Sequence, residues 1–202
     1  RNYTESYWSK KVFAPSALLF YIGLNKKVRN MQHHNLFFDV DFDKHASAIY
    51  DEKKWPDNPQ FYVTVSSISD MKSAPENCDS FVVLIPIASG LEDNENIRES
   101  YLEKVLTRIE EHSENKIKDS IIYKKSYCIN DFKSDYNSYK GNAYGLANTL
   151  FQTAIFKPKL KSKKIKGLYF TGQLTVPGPG VPPALISGKV VSNVVMQDFP
   201  NQ

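Results

Sequence analysis

Cysteine is scarce in this chain. Cys78 and Cys128 are the two that occur in 202 residues, and they lie far apart. Their spacing is neither that of a disulfide scaffold nor that of a zinc site. Because structural disulfides are typical of oxidising compartments, this cysteine usage favours a reducing one. We therefore expect the protein to work in the cytoplasm.

Long apolar runs and a strong charge of one sign are missing as well. No apolar run in the sequence approaches the roughly 20 residues of a membrane-spanning helix, and no signal peptide is visible. Any membrane contact is therefore expected to be peripheral. The formal net charge is only +4, and aromatic residues do not interleave with the basic ones. Both observations argue against a nucleic-acid partner.

Two short motifs imitate metal sites without completing them. The run Asp39-Val-Asp-Phe-Asp43 matches the start of a calcium-binding loop, but Lys44 replaces the required glycine and Tyr50 the required glutamate. The adjacent pair His33-His34 would point to opposite faces of a strand, and no third ligand lies nearby in the sequence. We predict no metal site, and a surface or capping role for the two histidines.

Five segments predict the strands of a mixed sheet. Residues 17–24 are continuously apolar, which indicates a central strand buried on both faces. Residues 37–43 alternate between apolar and acidic, which indicates a half-exposed strand. Residues 61–68 and 80–87 are two more strands joined by a polar turn, and residues 121–127 are a fifth.

Two helical segments accompany these strands. Residues 44–55 predict a short helix that ends at the Trp55-Pro56 pair. Residues 97–111 predict an amphipathic helix, because one stripe along it is apolar: Leu102, Val105, Leu106 and Ile109. The predicted fold class is therefore mixed α and β (α+β or α/β), with a mixed β-sheet and flanking helices.

The most informative stretch is residues 167–189. It predicts a short buried strand at Leu168–Thr171, a loop rich in glycine and proline, and a helix that opens at Pro182-Pro183. Glycines let a backbone turn sharply and approach a ligand closely. The N–H groups at a helix start favour anions. The stretch thus predicts either a ligand held against bare backbone or a plain surface loop capped by a helix.

Four segments in the same order resemble the carotenoid desaturases of the phytoene desaturase family, within the amine oxidase-like flavoproteins. They are residues 167–189, residues 139–158, residues 16–25 with the histidine pair downstream, and residues 61–89 with Ala74-Pro75-Glu76-Asn77-Cys78. The resemblance covers most of the chain. It implies an FAD-dependent oxidoreductase that introduces double bonds into a C40 polyene, phytoene or a later carotenoid, by transferring hydride to flavin.

The resemblance also implies which residues contact the cofactor. Gly172 and Gln173 are expected near the ribityl chain or pyrophosphate, and Gly180, Val181 and Pro182 at the flavin ring. Many relatives in the wider group have an acidic residue soon after the first glycine, whereas this chain has Gln173. No residue of this chain is assigned to acid–base catalysis.

The polyene implied by the resemblance offers little but apolar surface. We expect recognition by burial of that surface, at about 25 cal/mol per Å². The candidates for lining an apolar tunnel are Tyr144, Leu146, Leu150, Phe151 and Ile155, which we expect to form a stripe on a helix, although a helix with such a stripe also fits a plain hydrophobic core. The aromatic fraction of 13% fits either interpretation.

The glycine-rich fingerprint with which such flavoproteins begin is absent. Because residue 1 is an arginine, we expect the chain to be the C-terminal part of a longer enzyme that does not bind FAD tightly or turn over alone. Residues 1–156 are then a portion of the substrate-binding domain. Residues 157–202 are the return to the FAD-binding, Rossmann-like domain, contributing a strand and a helix.

Partners follow from the same resemblance. An insoluble polyene requires contact with the membrane, and the lysine run 157–166 is either the rim of that contact or a solvated connection. Quinone or oxygen is the expected electron acceptor. Two other functions stay open: a flavin-dependent carotenoid isomerase or saturase, and a non-catalytic lipid-binding module.

Overall fold

The computed structural model describes residues 3–200. The chain divides into two compact units: Pro15–Gly141, which we call the sheet unit, and Arg1–Ala14 with Asn142–Gln202, which we call the loop-helix unit. Arg1 lies outside the described residues. The predicted division at residue 157 separates substrate-binding from flavin-binding parts, and as a division by function it stays a prediction.

The sheet unit is built on one open sheet of five strands in the order β2-β3-β4-β1-β5. Every neighbouring pair is antiparallel. The strands are β1 (Ser16–Leu24), β2 (His34–Phe37), β3 (Phe61–Val65), β4 (Asp79–Ile87) and β5 (Ile121–Tyr127). The mixed α and β class is thus confirmed, whereas the prediction of a mixed sheet is wrong, because no parallel pair occurs among these five strands.

Five helices complete the described chain between residues 3 and 200. They are α1 (Glu5–Trp8), α2 (Phe42–Tyr50), α3 (Glu95–Ser113), α4 (Ile129–Tyr136) and α5 (Val181–Asp198). The first and the last belong to the loop-helix unit, and the other three to the sheet unit. The helix predicted at residues 44–55 is α2, which begins two residues earlier and ends at Tyr50.

The core of the sheet unit lies between α3 and one face of the sheet. The predicted stripe of α3 is buried as expected, and it joins the inward residues of the strands in one cluster. Alternation along β1 buries Phe20 and Ile22 and leaves Tyr21 37% exposed. The expectation that this strand is buried on both faces is therefore wrong, because the buried cluster covers one face only.

The strand predicted at residues 37–43 is also wrong. β2 ends at Phe37, and Asp41 caps the start of α2 by accepting hydrogen bonds from the backbone N–H groups of Asp43 and Lys44. An aspartate that caps a helix satisfies donors that would otherwise lack a partner. The alternating residues therefore form the start of a helix.

Three other predicted strands, at residues 17–24, 61–68 and 80–87, are confirmed as β1, β3 and β4, and they pair with one another in the sheet, although β3 ends at Val65 rather than Ile68.

A buried ionic cluster ties α3, β5 and α4 together. The Arg98 guanidinium donates to Asp93 and Asp131 at 2.7 Å each, and to the Ser126 hydroxyl at 3.1 Å. Asp93 also accepts a hydrogen bond from the backbone N–H of Asn130 at 2.8 Å. Buried charges are tolerated when they are paired in this way, so the cluster fixes the edge of the sheet that β5 forms.

The loop-helix unit departs from its prediction at Leu168–Thr171. No strand forms there: Tyr169 makes one isolated bridge with Lys161, and Leu168 is 37% exposed. Residues 168–170 make three backbone hydrogen bonds, all to the lysine-rich segment before them: from Ser162 N–H to Leu168, from Leu168 N–H to Ile165 and from Phe170 N–H to Leu160. A short irregular hairpin therefore replaces the predicted buried strand.

One contribution to the pH dependence of stability comes from His45, a residue of α2 that is 5% exposed. Its Nε2 donates to the Pro86 carbonyl and its Nδ1 accepts the Gln60 backbone N–H, both at 2.9 Å, which only the neutral ring can do. Burial lowers the pKa of His45 below 6.5. We predict that the free energy of unfolding is highest above about pH 6.5 and falls as the pH drops toward the lowered pKa, since the unfolded state binds the proton first.

Urea denaturation at several pH values measures this slope. His45→Leu should flatten it, and should cost about 1–3 kcal/mol at neutral pH because the Gln60 N–H loses its acceptor. His34→Gln, on the exposed edge strand, is the control and should keep the wild-type slope. An unchanged slope in His45→Leu would contradict the assignment.

Candidate functional site

The glycine loop, residues 172–180, leads from the irregular hairpin into α5. Gly172 and Gly180 have φ angles of +99° and +110°, a region that favours glycine. A Cβ on Gly172 would meet nothing within 4 Å, so the backbone there is open. A Cβ on Gly180 would lie 3.3 Å from the Pro183 ring. Gly180 thus has the geometry that the start of α5 requires, and Gly172 leaves space beside its backbone.

A hydroxyl network fastens the glycine loop to α5. The Gly172 N–H donates to Ser187 Oγ at 2.9 Å, and the Thr171 and Thr175 hydroxyls each lie 2.8 Å from the same atom. The Thr175 hydroxyl donates to the Gly172 carbonyl at 2.9 Å, so the Ser187 hydroxyl donates to Thr175 and accepts from Thr171. Ser187 is fully buried. Its one donor and two acceptor positions are all satisfied, which holds Gly172 against the helix.

The start of α5 offers fewer donors than its place in the sequence indicates. Gly180 is the N-cap and has no side-chain cap, and Pro182 and Pro183 have no N–H. The first N–H bonded inside the helix is that of Ala184, to Gly180 O at 2.9 Å. Within the first turn, only Val181 can therefore donate to a ligand. The helix dipole is retained, but the expected group of several N–H donors is reduced to those of Val181 and the cap residue Gly180.

The residues around this start are apolar and exposed. Val181 and Leu185, one helical turn apart, are 76% and 72% exposed, and Ile186 is 51% exposed. Gln173, in the glycine loop, is half-buried. Its backbone oxygen would lie 3.4 Å from a Cβ on Gly145, so Gly145 and the glycine loop are in close contact.

The five residues expected to line a tunnel do not form a helix. Short 3-10 turns at Leu150–Gln152 and Ala154–Phe156 replace it. Leu146 is buried, whereas Tyr144 is 39% exposed and Leu150, Phe151 and Ile155 are more than 70% exposed. The Gln152 side chain bonds both backbone groups of Val12 and anchors the turns. The structure therefore brings four of the five to the surface and places the fifth in the core; their contact with substrate stays a prediction.

The lysine run 157–166 divides into one buried residue and an exposed remainder. Lys157 is 3% exposed, and burial lowers the pKa of its ammonium group. Its Nζ lies 3.4 Å from the Asn148 amide oxygen. The other lysines of the run are exposed, and Lys161 pairs with Asp198 at 2.5 Å. Sequence reasoning treated the run as one surface feature and missed the burial of its first member.

The second face of the sheet carries an apolar row across all five strands. The aligned residues, from β2 to β5, are Leu36, Tyr62, Leu84, Leu19 and Tyr127. Leu36 is 63% exposed and the other four are half-buried. Four spacings of about 4.8 Å make the row roughly 19 Å long. No sequence signal identified it, because the register between strands is set by the fold.

The histidine pair and the acidic run hold no metal cluster. His33 and His34 lie with ring centroids 4.2 Å apart, not on opposite faces, because His33 precedes the first residue of β2. Each ring bonds a hydroxyl, of Ser69 and Tyr62 respectively. Across residues 3–200, no group of three or more metal-ligating side chains is present.

None of the helices within residues 3–200 is long and apolar enough to cross a membrane.

No protein-family profile matches the chain. Individual proteins do: the chain is 43% identical over 98% of its length to a carotenoid 3,4-desaturase of Haloarcula japonica. The chain belongs to the carotenoid desaturase family. A 4,4'-diapolycopen-4-al dehydrogenase of Metabacillus indicus and a 4,4'-diapophytoene desaturase of Staphylococcus haemolyticus are each 31% identical to it, over 100% and 98% of its length. The resemblance drawn from the four motifs is confirmed.

The match to the carotenoid desaturases covers only part of the length of each relative. The chain spans 40%, 39% and 41% of the length of these three relatives. The term "full-length protein" here means a protein of the relatives' length that contains this chain.

The network under the glycine loop gives a direct stability prediction. Ser187→Ala leaves the Gly172 N–H without its acceptor, and we expect a loss of about 1–3 kcal/mol in the free energy of unfolding. Ser192→Ala makes the same change at an exposed site of the same helix and should stay within about 0.5 kcal/mol of wild type. Equal values for the two variants in urea denaturation would show that the network does not hold the loop.

Proposed function

We propose that the full-length protein is an FAD-dependent carotenoid desaturase. The observation that carries this proposal is the 43% identity to a carotenoid 3,4-desaturase over 98% of the chain. The names of the three relatives include two desaturases and one dehydrogenase. These names favour an oxidation of a carotenoid over an isomerisation, a reduction or a purely lipid-binding role. Because they cover more than one carotenoid, we propose a substrate class, the carotenoid polyenes.

The glycine loop and the start of α5 fit a flavin. The open backbone at Gly172 leaves room for a close approach, and the Val181 N–H can donate to an oxygen or nitrogen at the edge of the ring. The N-terminal end of α5 favours negative charge. Gln173 can hydrogen-bond a hydroxyl but brings no charge. When bound, flavin supplies the acceptor for the hydride; the residues of this chain hold and orient it, and Gly180 and Pro182 shape the turn.

Two apolar surfaces support a polyene substrate. One consists of the exposed residues of the turns after Gly145, and the other is the row across the second face of the sheet. A polyene has no polar groups to bond, so its affinity must come from the area that it buries. The row is long enough to contact a conjugated chain along several of its double bonds.

Product analysis tests the proposed reaction. The full-length protein is incubated with a carotenoid substrate and either a quinone or oxygen, the two acceptors that we propose, and the products are separated by chromatography. We expect products with more conjugated double bonds. Rearranged or reduced polyenes would replace the desaturase proposal with the isomerase or saturase.

The Val181 N–H gives a sharper test of the flavin site. Val181→Pro removes this donor while proline remains well suited to the first position of a helix. In the full-length protein we predict at least a tenfold loss of flavin affinity, equivalent to about 1.4 kcal/mol, measured by titrating apoprotein with FAD. Val181→Ala removes the same exposed side chain, keeps the N–H and should bind like wild type. Equal affinities for the two variants would rule out a flavin contact by this N–H.

We further propose that the full-length protein works at the cytoplasmic surface of a membrane. The substrate class is insoluble in water, and exposed apolar and basic residues lie close together in sequence between residues 150 and 166. Interfacial binding combines apolar insertion with attraction of lysine to anionic lipids, at about 1 kcal/mol per lysine.

Liposome flotation tests this association. Charge reversal of the exposed lysines of the run that form no salt bridge within residues 3–200 should abolish the preference for anionic over neutral vesicles: Lys159, Lys163, Lys164 and Lys166. Reversal of four exposed lysines of the sheet unit is the matched control and should leave the preference intact: Lys53, Lys72, Lys116 and Lys125. If both sets behave alike, the run is a solvated connection.

A further inference from the structure

Lys157 is a buried cation without a counter-charge. The residue is 3% exposed, and its Nζ makes one side-chain hydrogen bond among residues 3–200, to the neutral Asn148 amide at 3.4 Å. No carboxylate in that part of the chain lies within ion-pair distance of it. Lysine is almost never fully buried unless it is paired. A charge held in this way destabilises the fold and requires a reason beyond packing.

The ammonium group lies against the glycine loop. A Cβ built on Gly178 would be 3.3 Å from Lys157 Cε and 3.5 Å from Nζ, so the absence of a side chain there makes room for the lysine. Gly178 has a φ of +140° and is itself buried. The loop therefore covers the lysine, and the positive charge lies directly beneath the segment that leads into α5.

The start of α5 has few groups that attract an anion, and Lys157 supplies a positive charge. Two of the first three helical positions are Pro182 and Pro183, which provide no N–H. A helix start with its full set of N–H groups binds anions through them, whereas this one has only two such donors, at Gly180 and Val181. Lys157 adds a full positive charge behind the same loop. Unlike a surface lysine, it is little screened by water, so its effect on a charge bound at the loop is strong.

We propose that Lys157 is a positioning residue that stabilises negative charge on a flavin bound at the glycine loop, and so raises the reduction potential of that flavin. The inference rests on the proposed function, since it requires a flavin at this loop. Reduction adds electron density to the pyrimidine edge of the ring, and a nearby cation favours the reduced form electrostatically. A higher potential makes the flavin a better acceptor for hydride from an unactivated polyene. Lys157 itself transfers no proton and forms no bond.

The test measures the reduction potential of FAD in the full-length protein, together with its affinity for sulfite, a probe that adds negative charge to the oxidised ring. Lys157→Met keeps the buried stem and removes the charge. We expect at least a tenfold shift of the redox equilibrium toward oxidised flavin, equivalent to about 30 mV for two electrons, and a sulfite dissociation constant about tenfold higher. Lys157→Arg restores a positive charge and should return both values toward wild type.

Two controls separate this role from a structural one. Lys159→Met removes an exposed lysine two residues away and should leave the potential unchanged. Replacement of an unpaired buried charge by an apolar side chain should also raise the urea midpoint of Lys157→Met. A purely structural lysine would give the reverse pattern, with lower stability and an unaltered potential. If Lys157→Met purifies without flavin, Lys157→Gln takes its place in the same comparison.

The outcomes distinguish this inference from the function on which it rests. A wild-type full-length protein without flavin contradicts the proposed function. Flavin present at a potential that Lys157→Met does not change overturns the role of Lys157 alone. Weaker FAD binding at an unchanged potential also overturns it, and would assign the lysine to the phosphates of the cofactor instead.

Discussion

The candidate site depends on one buried hydroxyl. Ser187 Oγ accepts the Gly172 N–H and takes part in hydrogen bonds with the hydroxyls of Thr171 and Thr175, and through these contacts an irregular loop is held to α5. Without it, a segment rich in glycine and proline has few contacts that would fix its backbone. The loop can be open at Gly172 and still ordered because its hydrogen bonds are directed toward the helix and not toward a ligand.

The electrostatic character of the site follows from the same arrangement. The prolines at the start of α5 fix the backbone of the first turn but remove donors, so the site relies on the helix dipole, on Val181 and on Lys157. A ligand that takes on negative charge during its reaction suits these features better than one that is already highly charged. This is the pattern expected of a protein that tunes a redox cofactor rather than one that only anchors phosphates.

Local pattern predicted the regular elements of the sheet unit well. The stripe of α3 follows from periodicity, because one packed face determines both the sequence and the structure, whereas β1 follows from its continuous apolar run. Over residues 37–43, the sequence of an alternating strand and the sequence of a capped helix start look the same. The structure decides between them through the N–H groups that the Asp41 carboxylate accepts.

The candidate site was predicted less completely, for a physical reason. The glycine loop and the start of α5 are local features and were found, whereas the burial of Lys157 and the position of Ser187 depend on contacts between distant residues. A lysine within a lysine run carries no sign of burial. Ser187 did leave a weak signal: it is a small polar residue in a largely apolar stretch of helix, with two threonines upstream to pair with it.

A structure of the full-length protein with FAD tests the central claim most directly. Our account predicts the flavin ring against the glycine loop, with the Val181 N–H within hydrogen-bonding distance of the ring and the Ser187 network intact beneath Gly172. A flavin bound elsewhere in the protein, with residues 172–182 making no contact to it, would contradict the account.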